Sequence, residues 1–594
     1  MNQLRLGASS HAYLGTSGLA IRLGANLFAP ALWEQICAWF NGSPTLTWLL
    51  APFQAMNAAE STPGSPRWKV VAVDVLSWLL FLATVPTNHP LVALWQAVDW
   101  AAINRICAPC YQNGERGQRA WAPAQMVALL ILFFVLPLAS ETALVQTVAI
   151  VPLYRWFCGF GLFSPLPDHS TLYTFRKRIG GGRFEAILTW VVHQCLQRKL
   201  IGNDLAFFDM MAVAASAHVW TPFERAVLLT QALIRYLELA EQGQTPAGPV
   251  PEALRRLAAE MAIEVLESKS LQENPQASLQ VLKSLERWTQ RRQAAKGQAL
   301  WELAIEEAVQ AVLSEEHALS SRPSTAPQAL PDKLKKVAQV LKAHLPHARG
   351  DLDACIGHVT TTVLQCGYWL GFLVDRLHSV ITAVRVVPLN VPQNTQMTPA
   401  LDTHKERVGA YPKAVAADSA QDYYPVHHDL DQRQIEGHIA SREHRGVGGG
   451  LSSEHFTWNV AGQMVCPEGH VMQAGNRRKD GLIPYKATGN CALCQRKAAC
   501  LTKGQQPDGP RRICLDPVAH QRWLQNREHT GTAAYKEAQR QRFASEGLFG
   551  LARRLHGADD MPYRSTTMNL TAGILIGVVM NLAVMAKCQG RADI

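Results

Sequence analysis

The segment Asp204-Leu205-Ala206-Phe207-Phe208-Asp209-Met210-Met211-Ala212-Val213-Ala214-Ala215-Ser216-Ala217 governs how the rest of the chain is read. Its apolar run reads as a buried strand, and the run stops at a carboxylate. A charge there is costly unless it is paired or metal-bound, so Asp209 marks a candidate site near the strand's carboxyl end or in the turn beyond it. A second segment, Ala414-Val415-Ala416-Ala417-Asp418, repeats the pattern. Two carboxylates ending neighbouring strands suit a hard divalent cation, which takes oxygen ligands and keeps other positions for water or phosphate.

Between these two segments the runs Gly357 to Cys366, Gly371 to Val374 and Val380 to Pro388 are rich in β-branched residues and separated by turn residues, which suits antiparallel strands. The helical stretch Pro399 to Val408 suits a crossover to the strand ending at Asp418. The fold class expected is α+β or α/β, built on a mixed sheet. Residues 221–345 differ in character. They are rich in Ala, Gln, Leu, Glu and Arg and read as an inserted helical subdomain, with amphipathic helices expected over 252–268 and 298–315.

A third stretch, Gln541 to Arg554, sets Arg542, Glu546, Arg553 and Arg554 near one face of a helix, with Phe543 and Leu551 expected to pack. Taken alone, it reads as a solvated face with pairs one turn apart.

The chain has 594 residues, enough for several domains, with a net charge of +10 and a pI near 9.0. That balance favours an anionic partner, nucleic acid before an anionic membrane surface. The 13 cysteines are scattered except for one group, and Met1 to Arg22 lacks the pattern of a cleavable signal peptide. A reducing cytoplasm is the compartment expected, with metal-bound or free thiols in place of a disulfide framework. The apolar stretches at Val127 to Pro137 and Leu570 to Ala586 read as buried core helices, because polar residues interrupt them or they fall short of the ~20 apolar residues of a span. Trp33, Trp39, Trp48 and Trp68 lie in a start of unassigned role.

The cysteine group is Cys466-Pro467-Glu468-Gly469-His470, then Cys491-Ala492-Leu493-Cys494, then Cys500. Cys466, Cys491, Cys494 and Cys500 supply the four thiolates of a closed tetrahedral zinc site, with His470 and Cys514 as substitutes. Such a closed site is structural. Cys107 and Cys110 have no partner pair nearby and read as incidental.

A further motif is Phe163-Ser164-Pro165-Leu166-Pro167-Asp168-His169-Ser170-Thr171-Leu172-Tyr173-Thr174-Phe175-Arg176-Lys177-Arg178. Asp168 or Ser170 caps a helix with Leu172 and Phe175 facing inward, and Arg176, Lys177 and Arg178 are expected to project toward a phosphate backbone. An ordinary helix with a basic end fits equally well. The motif resembles, nearly word for word, the signature of the N-terminal domain of bacterial insertion-sequence transposases of the DDE class.

The strand Val415-Ala416-Ala417-Asp418-Ser419-Ala420, the small-residue tail Ala214 to Ala217, the set Arg542, Glu546 and Arg553, the segment Tyr563-Arg564 and the cysteine-rich insertion resemble that family too. Met210 and Met211 stand where the family has a polar pair, and Gln539 where it has a tyrosine. The resemblance implies an RNase-H-like catalytic core over 201–220, 346–440 and 530–588. It adds a helical DNA-binding domain over 89–200, the helical insertion at 221–345, a zinc-ribbon-like insertion over 455–515 and an unassigned extension over 1–88.

It further implies an Asp209–Asp418–Glu546 triad holding Mg²⁺ or Mn²⁺, structural Zn²⁺, and DNA contacts through Arg176, Lys177, Arg178, Arg542, Arg553 and Arg554. The activity implied is cleavage of double-stranded DNA at element ends and strand transfer into target DNA, by a homodimer or larger assembly at the bacterial nucleoid and not at a membrane. A catalytically silent or domesticated DNA-binding derivative is the competing expectation, on Met210, Met211 and Gln539.

Overall fold

The computed structural model describes residues 75–111, 119–136, 138–242, 330–360, 362–441, 450–479, 481–489, 491–500 and 509–588, together with residues 52, 258, 261 and 262. The tryptophan-rich start and all but three residues of the two helices expected within the insertion lie outside the described residues.

Among the described residues, seven α-helices precede the sheet: α1 Val75–Thr84, α2 Pro90–Gln96, α3 Trp100–Cys107, α4 Pro123–Val135, α5 Glu141–Ile150, α6 Pro152–Phe157 and α7 His169–Gln197. Local chemistry starts them. Asp99, Ser140 and Asp168 accept hydrogen bonds from the backbone N–H groups of Ala102, Ala143 and Thr171, and proline occupies the first turn of α2, α4 and α6. Helix α4 is buried on every side from Pro123 to Phe134, as its nearly continuous apolar text requires, and its one polar side chain, Gln125, donates to the Gly159 carbonyl. Helix α7 kinks at Gly180, whose φ of 69° is a left-handed conformation that favours glycine.

The sheet follows. Its strands are β1 Leu205–Ala215, β4 Cys355–His358, β5 Leu364–Asp375, β6 Ile381–Pro388, β7 Ala414–Ala417, β8 Glu436–Ile439 and β14 Asp560–Met561, while β2 His218–Val219 and β3 Ala348–Arg349 form a separate ribbon. Strand β5 is antiparallel to β6, β4 and β1. Strand β1 is parallel to β7 and β14, and β7 to β8. The order across the sheet is therefore β6, β5, β1, β7, β8.

Two expectations are corrected here. Asp209 does not end its strand; β1 continues six residues past it to Ala215, because Met210, Met211 and Val213 are buried and keep the ladder going. The turn expected after Cys366 falls instead between β4 and β5, and Gly367 and Gly371 sit within β5. A Cβ on Gly367 would lie 2.0 Å from the Val213 carbonyl oxygen, so this glycine serves close strand approach and not a turn.

One face of the sheet carries α10 Met397–Val408 and α11 Tyr424–Gln432, whose Met397, Leu401, Val426 and Leu430 join Met210 and Leu373. The other face carries α4, α7 and α15 Thr566–Cys588, with Met211, Phe372 and Val384 beneath them. Helix α15 is long and apolar enough to cross a bilayer. Here it packs on the sheet: Gly573 and Gly577 bring it down onto Leu370 and Val384, and the Asn581 amide exchanges two 2.8 Å hydrogen bonds with the Ile381 backbone. Helices α8 Pro222–Gln242 and α9 Leu330–His344 share a separate apolar cluster beside the sheet, through Leu229, Leu233 and Leu341.

The cysteine-rich segment has its own small core around Phe456, Met464, Met472, Tyr485 and Leu515. It contains the pair β9 Thr457–Trp458 and β10 Met464–Val465, the three-stranded sheet β11 Met472–Ala474, β12 Ile483–Ala487 and β13 Arg512–Leu515, and the short helix α12 Lys497–Cys500. Helices α13 Pro517–Glu528 and α14 Ala533–His556 lead back to the main sheet.

Candidate active site

Asp209 and Asp418 come together through strand register. Phe208 pairs with Ala417 across the parallel β1–β7 ladder, so the next residue of each chain, Asp209 and Asp418, stands at the same level on strands ~4.8 Å apart. Asp418 leaves β7 into a short 3₁₀ turn, where its carboxylate accepts from the Ala420 N–H at 3.1 Å. Side chains alternate along β1, placing Asp209 with Phe207 and Met211 on the face that α14 covers. Met210, on the other face, fills the α10 side of the core. The two methionines in place of a polar pair are thus packing residues.

Helix α14 brings Glu546 to this face. Thr532 caps it, and Gly557, at φ 64°, ends it. Phe549 stacks on Phe372 with centroids 5.3 Å apart, and Phe372 is the residue paired with Asp209 on β5. At the other end the Tyr535 hydroxyl donates to the Ile439 carbonyl. The packing face is Ala538, Leu548, Phe549 and Ala552; Phe543 and Leu551, expected to pack, are exposed.

Gln539, a residue the sequence offered only as a missing tyrosine, ties helix to sheet. Its amide donates to the carbonyls of Ala417, at 3.1 Å, and of His438, at the ends of β7 and β8. Its carbonyl oxygen accepts from Arg542 Nε at 3.1 Å. Arg542 then reaches both carboxylates, 3.7 Å from Asp209 Oδ2 and 3.3 Å from Glu546 Oε1. The one-turn spacing of Gln539 and Arg542 was the signal in the sequence for this link. Arg542 is 7% exposed, so the expectation that it faces DNA does not match its position.

The electrostatics report the same convergence. The Asp209 carboxyl is pushed up to about 6, first by burial and then by the Asp418 carboxylate; Glu546 adds to the rise, while the Met210 N–H and Arg542 oppose it. Among the described residues, no three His, Cys, Asp or Glu side chains form a ready-made metal cage. The donor set is nonetheless that of a hard cation: carboxylate oxygens that repel one another and already share a guanidinium.

In the cysteine-rich segment, Cys466 opens a tight turn in which the Gly469 N–H donates to the Cys466 carbonyl. Cys491 and Cys494 close a second turn, and Cys500 ends α12. The turns meet where His470 lies against Gly489, whose Cβ would come within 2.8 Å of the imidazole. The Cys500 thiol is raised, chiefly by burial, with Cys491, Cys494 and Cys466 adding to the rise, so the four sulfurs share one neighbourhood. Cys514 is exposed on β13, beside Arg478.

The basic motif at α7 divides. Asp168 caps the helix, its carboxyl held at about 2 by hydrogen bonds from Thr171 and Ser170. Lys177 is exposed, and so is Arg178, which lies over the Tyr111 ring. Arg176 contradicts the expectation of a projecting cation: it is 5% exposed, pairs with Glu141 and stacks 3.9 Å above the centroid of Tyr563. The Tyr563 hydroxyl donates to the same Glu141 carboxylate at 2.9 Å. On α14, Arg553 pairs with Asp559 at 3.3 Å, and Arg554 donates to the Gly550 carbonyl; both are exposed.

Residues 80–178 match the family described as Transposase domain (DUF772), and residues 465–586 match Transposase DDE domain. No curated protein and no solved structure matched the chain. The first matched segment contains Glu141 and Arg176, the second Glu546 and Tyr563, and the two segments meet in the contact just described. These two matched domains support a DDE-class transposase of an insertion element.

Proposed function

We propose that Asp209, Asp418 and Glu546 form the catalytic triad of this transposase, cutting double-stranded DNA at the element's ends and joining those ends to target DNA. The observation that carries the reading is the strand register, which sets Asp209 beside Asp418 under the helix that bears Glu546. A sheet ordered β6, β5, β1, β7, β8, with its first three strands antiparallel and β1, β7 and β8 parallel, supports an RNase-H-like core. Divalent cations such as Mg²⁺ or Mn²⁺ would be held by these carboxylates and would supply Lewis-acid stabilisation of an in-line phosphoryl displacement. In the first step a water oxygen bonds to phosphorus as the bond to a 3′ oxygen breaks, leaving a 3′-hydroxyl; in the second that 3′-hydroxyl oxygen loses its proton and bonds to a target phosphorus as the target's own 3′ oxygen leaves and takes up a proton. Half-buried Asp418 and exposed Glu546 would meet an entering phosphodiester, while Phe549 and Gln539 hold the helix so that Glu546 stays over the strands.

Lys177, Arg178, Arg553 and Arg554 supply exposed cations for the DNA backbone. Cys466, Cys491, Cys494 and Cys500 would supply the four thiolates of a structural zinc, a reading supported by their spacing and by the influence of the other three on the Cys500 thiol. Zinc content of the purified protein tests this: about one equivalent is expected, lost in Cys491→Ser.

The experiment on the triad incubates purified protein with labelled DNA carrying the sequences that flank the gene, with Mg²⁺, beside Asp418→Ala. Cleavage by the unaltered protein alone supports the triad. Cleavage by both removes Asp418 from it, and cleavage by neither with retained DNA binding supports the silent DNA-binding derivative.

A further inference from the structure

The arginine between the carboxylates has a consequence for the site itself. Asp418 and Glu546 both stand close enough to Asp209 to disfavour its charged form, and Asp209 and Glu546 share the guanidinium of Arg542, 3.7 Å and 3.3 Å away. That guanidinium is nearly buried and is oriented from outside the site. Gln539 grips its Nε with a carbonyl oxygen, while the Gln539 amide is anchored to the backbone carbonyls of Ala417 and His438. The anchor at Ala417 is the residue just before Asp418 in the chain. The line of contacts therefore runs from the strand ends through Gln539 and Arg542 to the carboxylates of Asp209 and Glu546.

We infer that Arg542 is an internal counter-ion of the carboxylate site, positioned by Gln539, and that a divalent cation binds in competition with it. The inference rests on the triad reading above and adds a role for two residues outside the triad. A guanidinium is always charged, and its planar fork suits two acceptors at once. In the metal-free protein it offsets the repulsion that would otherwise push the carboxylates apart. When a cation arrives, the same charge opposes it, so the site's affinity for metal is set below what three carboxylates alone would reach. The fixed amide of Gln539 keeps the guanidinium from swinging away. A tyrosine, with a hydroxyl on a rigid ring, could not donate to two strand carbonyls and accept from Nε through one planar group.

The test measures Mn²⁺ binding by calorimetry on the full chain without DNA, so that the readout is independent of turnover. Arg542→Gln removes the charge and is expected to tighten Mn²⁺ binding about tenfold or more, on the scale by which one neighbouring charge moves a carboxylate equilibrium. It should also lower the metal-free melting temperature. Gln539→Met removes the positioning amide while keeping the charge, and an intermediate tightening is expected. Arg542→Lys keeps a cation and should stay near the unaltered protein. Damage to the fold would weaken binding, so tightening cannot arise from damage.

Unchanged or weaker binding in both Arg542→Gln and Gln539→Met, with Asp418→Asn abolishing it, overturns the counter-ion and leaves the triad standing. Asp418→Asn binding like the unaltered protein overturns the triad itself. If Arg542→Gln does not fold, Gln539→Met decides the question by the same readout.

Discussion

Arg176 lies over the ring of Tyr563, its guanidinium carbon 3.9 Å from the centroid, and both side chains end on the carboxylate of Glu141. One residue comes from the helix of the N-terminal signature, the second from the loop before α15, and the third from the first turn of α5. The contact joins the two transposase-matched segments across the core face of the sheet.

This contact should carry stability. Arg176→Met leaves the largely buried Glu141 with half its partners; removing one member of a fully buried pair costs roughly 3–5 kcal/mol, and about the lower end is expected here, with Glu141 12% exposed. Tyr563→Phe removes only a hydrogen bond to a charged group, worth about 1.5–3 kcal/mol. Urea denaturation followed by tryptophan fluorescence should rank the two in that order; equal stability of Arg176→Met and the unaltered protein would show the pair to be energetically idle.

DNA binding should divide the same motif in the opposite way. Lys177→Ala and Arg178→Ala are each expected to weaken affinity for duplex DNA and to flatten its salt dependence by about one unit. Arg176→Met should leave the slope unchanged. Titrations at several salt concentrations read this directly, and a flattened slope in Arg176→Met would return that residue to the DNA surface.

Strand approach sets a third expectation. A methyl at Gly367 meets the backbone of β1, where nothing flexible can give way, whereas a methyl at Gly371 meets the Met210 side chain at 3.0 Å, which can shift. Gly367→Ala should therefore destabilise by more than ~3 kcal/mol, beyond the usual range for one substitution. Gly371→Ala should cost distinctly less. Thermal melts of both variants check the order.

The pH dependence follows from two desolvated groups of opposite sign, His404 fully buried and Asp209 partly so. His404, fully buried between Thr382 and Asn203, is held at about 4 by burial, with Asp375 opposing. Its folded value lies below its unfolded one. The unfolded chain therefore binds the proton first, and stability is lost as pH falls from about 6.5 to about 4, by on the order of 2–3 kcal/mol at ~1.4 kcal/mol per unit. Asp209, raised to about 6, acts the other way: metal-free stability falls as pH rises through roughly 4 to 6. His404→Gln should flatten the acid loss and Asp209→Asn should steepen it, in denaturation curves taken without metal between pH 4 and 7.

Much of this was legible in the sequence, for reasons that follow from local chemistry. An apolar strand broken by a carboxylate is costly to bury, so Asp209 and Asp418 announced themselves. The Asp168 cap acts within three residues, and cysteine spacing survives any packing. The helical character of Leu570 to Ala586 follows from its composition, and its place in the core was an expectation the fold met. Arg176 and Arg542 were misplaced because spacing tells which residues share a helix face but not what covers that face. Arg176 is buried by Glu141, distant in the chain, and by Tyr563, near its far end; Arg542 is buried by strands that precede it by more than a hundred residues.

For the same reason Asp209 was expected at a strand end, since only its partners β5 and β14 show where the ladder stops. What the sequence by itself determined, then, was the set of candidate groups for the proposed chemistry, because charge, strand periodicity and thiol spacing are local properties. Tertiary structure alone decided which cations face solvent and which neutralise buried carboxylates. That depends on contacts between segments far apart in the chain, where desolvation makes one ionic partner worth more than several in water.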